Sequence, residues 1–146
     1  MEIPFAVIPL LAALLTIVDF SIPIFLRSLM THAVREGCRY AITFRTEGGK
    51  TQTASIQDIV MSNSSGFLEG SEGRDKVKVR FYSPVTFAED TGPNRNASGN
   101  IVEVSVEGFQ WSGMVSLWRA SGLITISAKS ADRLETLPRG TAPPAP

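Results

Sequence analysis

The stretch IPFAVIPLLAALLTIVDFSIPIFL, residues 3–26, is twenty-four residues long and carries one charge, Asp19. As a helix rising about 1.5 Å per residue it would be roughly 36 Å long. A bilayer's hydrocarbon core is about 30 Å thick, so a single tilted span fits. This apolar run sets the reading of the whole chain: a membrane anchor over residues 1–27, a head over 28–137, and a disordered Pro-rich tail over 138–146. Pro4 suits the first turn of the helix, where a missing N–H costs little. Pro9 and Pro23 are expected to bend it, as membrane helices tolerate.

Working outward, the 146-residue chain has room for one modest core beyond the anchor. Lys plus Arg and Asp plus Glu both number 14. That balance argues against a nucleic-acid partner, which would call for a basic excess. The single cysteine, Cys38, allows no internal disulfide, and His32 is the only histidine. The apolar run is too long for an ordinary signal-peptide core, and no Lys or Arg precedes it, which favours a retained anchor. Arg27, Arg35 and Arg39 follow the span, and by charge alone they would hold the head in the cytoplasm.

Past the span the helical pattern continues. Leu29, Ala33, Gly37 and Tyr40 form one stripe, and Glu36 with Arg39 makes a candidate surface pair. One helix is expected from Pro4 to Ala41, then a short strand over Ile42–Arg45. A second helix is expected over Ala54–Ser62 with Thr53 as N-cap and Gly66 as a stop. The Ser/Gly-rich stretch Ser62–Arg74 reads as a loop. Three segments then alternate with period two: Lys76–Phe81, Ile101–Glu107 and Leu123–Lys129. Clean alternation predicts a three-stranded antiparallel sheet with one buried face. The basic row Lys76, Lys78 and Arg80 complements the acidic row Glu103 and Glu107, which favours pairing the first two strands. The link Ser83–Asn100 reads as a long exposed loop. The predicted fold is α+β, with the outer half of the long helix lying on the sheet.

One segment sharpens this picture. His32-Ala33-Val34-Arg35-Glu36-Gly37-Cys38-Arg39-Tyr40-Ala41 resembles the A-A-R-E-G-A-R-Y-A signature of the TadE-like family, pseudopilins of the tight-adherence (Tad/Flp) pilus system. Pro4-Phe5-Ala6-Val7-Ile8-Pro9 resembles the family's opening E-F-A-x-x-x-P. Asp19-Phe20 resembles its acidic-Phe pair. Gly99–Val106, the Phe109–Trp118 stretch and Ser130–Glu135 resemble its closing strands. The resemblance implies a pilin-like head and a non-enzymatic role in pilus assembly, with no cofactor and no metal. It implies a single-pass protein of the bacterial inner membrane whose head lies on the periplasmic side, opposite to the charge count. The implied partners are the lipid bilayer, other pilus-assembly subunits including another TadE-like pseudopilin, and a prepilin peptidase. Members are expected to carry a basic leader ending in Gly with a Glu about five residues later. Glu2 is the candidate for that Glu, at a spacing to Pro9 one residue longer than the family pattern, so an internal start and an unprocessed member are the two alternatives.

The candidate residues follow. Asp19 lies within the apolar run, where an ionisable group is costly and usually faces protein or water, so with Glu2 it is a candidate membrane-helix contact. Arg35, Glu36, Gly37, Arg39 and Tyr40 are candidates for an inter-subunit surface or, more simply, for the helix-to-sheet junction, with Gly37 allowing close approach. Phe109, Trp111 and Trp118, with Met114 and Leu117, make a candidate partner patch; the alternatives are a membrane-surface element and core, and core packing of at least half of them is the simpler reading. The same patch would serve the alternative function, a membrane-anchored extracytoplasmic binding module unrelated to pili. Cys38 is a candidate packed residue, and no second histidine accompanies His32 to support catalysis.

Overall fold

The structure, a computed structural model, describes residues 3–112 and 123–136. Helix α1 runs over Ile3–Ile42, continuous through Pro9 and Pro23. Then come α2 (Gln52–Ser62), α3 (Gly70–Lys76), β1 (Val77–Tyr82), β2 (Ile101–Trp111) and β3 (Ile124–Arg133). The strands form one antiparallel sheet in the order β1-β2-β3. The α+β architecture matches the expectation from the sequence. The tail from residue 137 onward lies outside the described residues.

Helix α1 has two halves with different surroundings. Over its first part the large apolar side chains are exposed: Ile8 is 68% exposed, Ile17 67% and Ile24 70%. By length and composition this helix could cross a membrane. The hydroxyls of Thr16 and Ser21 donate back to the carbonyls of Ala12 and Val18, which satisfies them without water. From Leu26 onward one face is buried: Leu26, Met30, Ala33, Val34, Gly37, Cys38 and Ala41. The buried stripe is therefore rotated from the expected one. Ala33 and Gly37 belong to it, but Leu29 and Tyr40 are only half-buried at its edge. This stripe packs on β2, β3 and α2.

The sheet turns Val102, Val104, Val106, Ile126 and Ala128 toward α1, and Val77 and Phe81 of β1 complete the face. Arg80 pairs in register with Glu103 and makes its closest ion pair with Glu107, at 2.6 Å. The charge complementarity expected between the first two strands is thus present on the outer face. Strand β2 is longer than its alternating pattern suggested, because a bulge hides the continuation. Val106 pairs with Ala128 and Phe109 with Ile126, so Glu107 and Gly108 share one step. Gly108 adopts φ +71°, a conformation that suits glycine. The extra residue reverses the alternation, and Phe109 and Trp111 join the core side. The period-two rule, applied without the bulge, places them on the opposite face.

Three local expectations are corrected. Residues 42–45 contain no strand: Ile42 ends α1 and residues 43–44 form a turn, in which Phe44 takes φ +52° and its N–H bonds back to the Ala41 carbonyl. Helix α2 starts at Gln52 and its N-cap is Thr51, whose hydroxyl accepts from the Ala54 N–H; Thr53 lies inside the helix. Residues 70–76 are helical and not loop. Their Gly-rich sequence has weak intrinsic helix preference, so tertiary contacts carry α3. Arg74 bonds to Asp58 of α2, and Lys76 pairs with Glu72 one turn away. The link 83–100 is a loop, as expected, although Asn96 within it is buried.

Gly37 sits where α1, α2 and the sheet converge. A Cβ there would lie 2.4 Å from Val60 Cγ2, 3.5 Å from Val104 Cγ1 and 3.6 Å from Ile56 Cγ2. Val60 is fully buried and β-branched, so it has little freedom to move aside. Gly37→Ala is expected to destabilise the head by about 1–3 kcal/mol, the usual penalty of overpacking. Thermal unfolding of the full chain in detergent measures this. Val60→Ala in the same chain should recover part of the loss, and additive effects of the two changes would exclude the clash as the cause.

Candidate functional site

The candidate surface follows α1 from the apolar half into the junction with the head. In the apolar half, Ile8, Leu10, Leu14, Ile17, Val18 and Ile24 are all more than half exposed. Asp19 behaves differently. It is 7% exposed, whereas Phe20 beside it is 55% exposed, and it has a partner within the chain. Its side chain is thus sheltered from the surroundings of the helix, in keeping with the cost of an ionised group in lipid. Glu2 lies outside the described residues.

The signature residues separate by helical phase. Gly37 is in the core. Arg35 and Arg39 project outward, while Glu36 and Tyr40 are half-buried. Glu36, Arg39 and Tyr40 line one groove between α1 and α2, together with Arg45 and Asn63. Arg35 lines another groove on the outward face, of about 560 Å³, shared with Arg27, Thr31, His32 and Glu36. Among the described residues no ion pair joins Glu36 to Arg39, so the expected surface pair is not formed. His32 is exposed on the outward side of α1 and Cys38 is buried against the sheet, so the two do not meet.

Phe109 and Trp111 are half-buried against the core. The Phe109 ring meets Phe67 edge-on, with 6.4 Å between centroids and 85° between planes. The indole Nε1 of Trp111 is buried without a hydrogen-bond partner. These two aromatics act in packing. Trp118, Met114 and Leu117 lie outside the described residues.

Two polar clusters that brace this surface were not anticipated. Gln52 is fully buried; its Nε2 donates to the Ala41 carbonyl at 3.0 Å, and its Oε1 accepts from Asn96 Nδ2 at 2.7 Å. One amide therefore closes the C-terminal end of α1 and fixes the loop before β2. The available signal was its spacing, since Gln52, Ile56 and Val60 recur at four-residue intervals on one face. Asp58 joins Lys50, at 2.6 Å, to Arg74, linking the loop before α2 to α3. The Lys50 ammonium first, and Arg74 with it, holds the Asp58 carboxyl below its ordinary value. Glu107 is likewise lowered, chiefly by the Arg80 guanidinium.

The comparisons agree with the sequence signature. The family model described as TadE-like protein matches residues 5–39, which cover the apolar half of α1 and most of its junction with the head. No match was found among curated proteins or among solved structures. TadE-like proteins are a pilus-associated structural family.

Because the Asp58 carboxyl titrates lower in the folded chain than in the unfolded one, its contribution is complete above its ordinary value of 3.8 and is lost as pH falls through the folded value. Acid unfolding followed by circular dichroism should therefore lose cooperativity between α2 and α3 below about pH 4. Asp58→Asn should bring that loss to neutral pH and flatten the acid limb, at a cost of about 1 kcal/mol for ion pairs whose basic partners are solvent-screened. By its sequence signature and by this match, residues 5–39 of the chain are similar to TadE-like proteins.

Proposed function

We propose that the protein is a minor pseudopilin of the tight-adherence pilus, a non-enzymatic subunit that works through its helix and its head. The observation that carries this reading is the division of one helix. Its first half is apolar and exposed, while its second half, bearing the family signature, is the lid of its own sheet. A side that is apolar, long and uncovered needs lipid or another helix. A helix locked rigidly to a head can transmit a membrane contact to that head.

In this reading residues 1–27 anchor the chain in the inner membrane and the pilin-like head, 28–137, lies on the periplasmic side. The helix meets other subunits, including a second TadE-like pseudopilin, through the exposed apolar residues, with Asp19 setting their register. Arg35, Glu36, Arg39 and Tyr40 border the grooves open to a neighbouring head. A prepilin peptidase would act ahead of Glu2. The alternative of a binding module using the aromatic patch draws less support, because Phe109 and Trp111 face the core.

Deletion of the gene is expected to abolish or sharply reduce surface pili, counted by electron microscopy, with restoration by the wild-type chain. Unchanged piliation would overturn the assignment. Complementation with Asp19→Leu is expected to restore protein levels without restoring pili; normal pili from that variant would remove Asp19 from assembly while leaving the broader role intact.

A further inference from the structure

The link between β1 and β2 begins with a projecting tip. The Asp90 N–H donates to the Phe81 carbonyl at 2.8 Å and the Ser83 N–H to the Ala88 carbonyl at 3.0 Å, while Tyr82 bridges Glu89 as an antiparallel pair. These bonds prolong β1 into a short hairpin over Ser83–Asp90. At its end Val85 is 83% exposed and Phe87 72% exposed. Phe87 also holds φ +54°, an unfavourable conformation for a bulky side chain, and its N–H donates to the Ser83 carbonyl at 2.9 Å. The tip thus presents two apolar side chains to solvent on a hydrogen-bonded backbone. Its only charges are the carboxylates of Glu89 and Asp90.

The tip lies at the end of the head away from the apolar half of α1. Tyr82 pairs with Ile101, and the carbonyl of the next residue, Val102, lies 4.0 Å from Cys38 Sγ near the C-terminal end of α1. In the membrane-anchor reading, lipid is therefore out of the tip's reach. A groove of complementary character opens near this same end, between α1 and α2. Tyr40 and Ile59 line it as half-buried side chains, and Arg39 and Arg45 as exposed ones. Among the described residues neither arginine forms an ion pair, and neither does Glu89. The two arginines outweigh the one carboxylate of the groove, Glu36, so the groove is net positive where the tip is negative. No tip residue lines the groove, so the chain does not fill its own groove.

We propose that the 83–90 tip of one copy docks in the α1–α2 groove of a second copy of this chain. Phe87 lies against Tyr40 and Ile59, and Glu89 faces Arg45. Burial of the aromatic ring supplies the attraction, and the opposite charges set the orientation. Both patches belong to the same end of the head, so copies anchored in one bilayer bring them to a common height. Tip and groove are different surfaces, so the contact is head-to-tail. It leaves a free tip on one copy and a free groove on the other, and can extend beyond a dimer. The contact rests on the pseudopilin reading above and names the surfaces through which two heads meet.

The test installs the photo-crosslinker benzoylphenylalanine in place of Phe87 in the full chain and irradiates membranes of the cells that make it. Products are expected at twice the chain mass and at higher multiples, with the linked peptides falling in Tyr40–Arg45 or Ile59–Asn63. Arg45→Glu in the same chain should lower the yield about fivefold, the effect of turning one exposed attraction into a repulsion. Adding Glu89→Arg to that chain should restore most of the yield, with thermal unfolding unchanged throughout. Arg35→Glu, which reverses a charge outside the groove, should leave the yield as it was. Linkage to lipid or to a different protein overturns the contact. So do linked peptides outside the groove, the absence of any product, and an equal loss from Arg35→Glu. Pilus counts in the deletion strain report separately on the pseudopilin reading. Pili lost on deletion without a groove product remove only this contact, whereas a groove product with unchanged piliation keeps the contact and removes the pilus role.

Discussion

The structure depends on the burial of one helical stripe, Leu26 to Ala41, under the apolar face of a three-stranded sheet. Such a sheet has one face that must leave water, and three strands alone cannot close on themselves. Helix α1 covers that face along β2 and β3, with α2 packed beside it. Full burial of each Val, Leu or Met in this layer contributes about 1.5–3 kcal/mol before the entropy of ordering is counted. Because the covering element is also the apolar helix, the head cannot hinge freely against it without uncovering its own core.

That dependence explains where the tolerances are tight. The stripe uses small residues at Ala33, Gly37, Cys38 and Ala41, so the helix lies close to the sheet and to α2. Larger side chains flank them at Leu26, Met30 and Val34. The bulge at Gly108 performs the matching task on the sheet: it keeps Phe109 and Trp111 on the core side after Val106, and so extends the apolar face. Polar residues then secure the ends. Gln52 donates to the Ala41 carbonyl, which also accepts from the Phe44 N–H, and Asn96 in turn donates to the Gln52 carbonyl, so these buried polar groups are paired. The outer face is left to Arg80, Glu103 and Glu107, which tie β1 to β2 in water.

In the proposed function, the consequence is a rigid connection between the membrane and the head. The apolar half of α1 presents exposed apolar side chains to its surroundings, and its one carboxylate, Asp19, is sheltered. The junction presents arginines at positions 27, 35 and 39 on outward or groove-lining faces. Under the proposed function, contacts made by the helix would be registered in the orientation of the head.

The sequence by itself determined the elements whose signal is periodic and local. Twenty-four nearly uncharged residues define the apolar half of α1, and alternation over Val77–Phe81, Val102–Val106 and Ile124–Ala128 defines the strands and their inner face. The opposite charges of Arg80 and Glu103 indicated which strands pair. The family signature was legible for the same reason, since it is a contiguous stretch of one helix. Tertiary structure alone decided what depends on partners distant in sequence. Helix α3 forms from a Gly-rich segment whose Arg74 reaches Asp58, and the turn after Ile42 folds Phe44 back onto the Ala41 carbonyl that Gln52 also contacts. Phe109 and Trp111 face inward because a bulge shifts the register, and Asp19 is sheltered although its neighbour Phe20 is exposed. Periodicity reports which face of an element is apolar, but it does not fix the rotation of that face against its neighbour. Complementary packing sets that rotation, which is why the buried stripe lay one step around the helix from the residues its spacing first suggested.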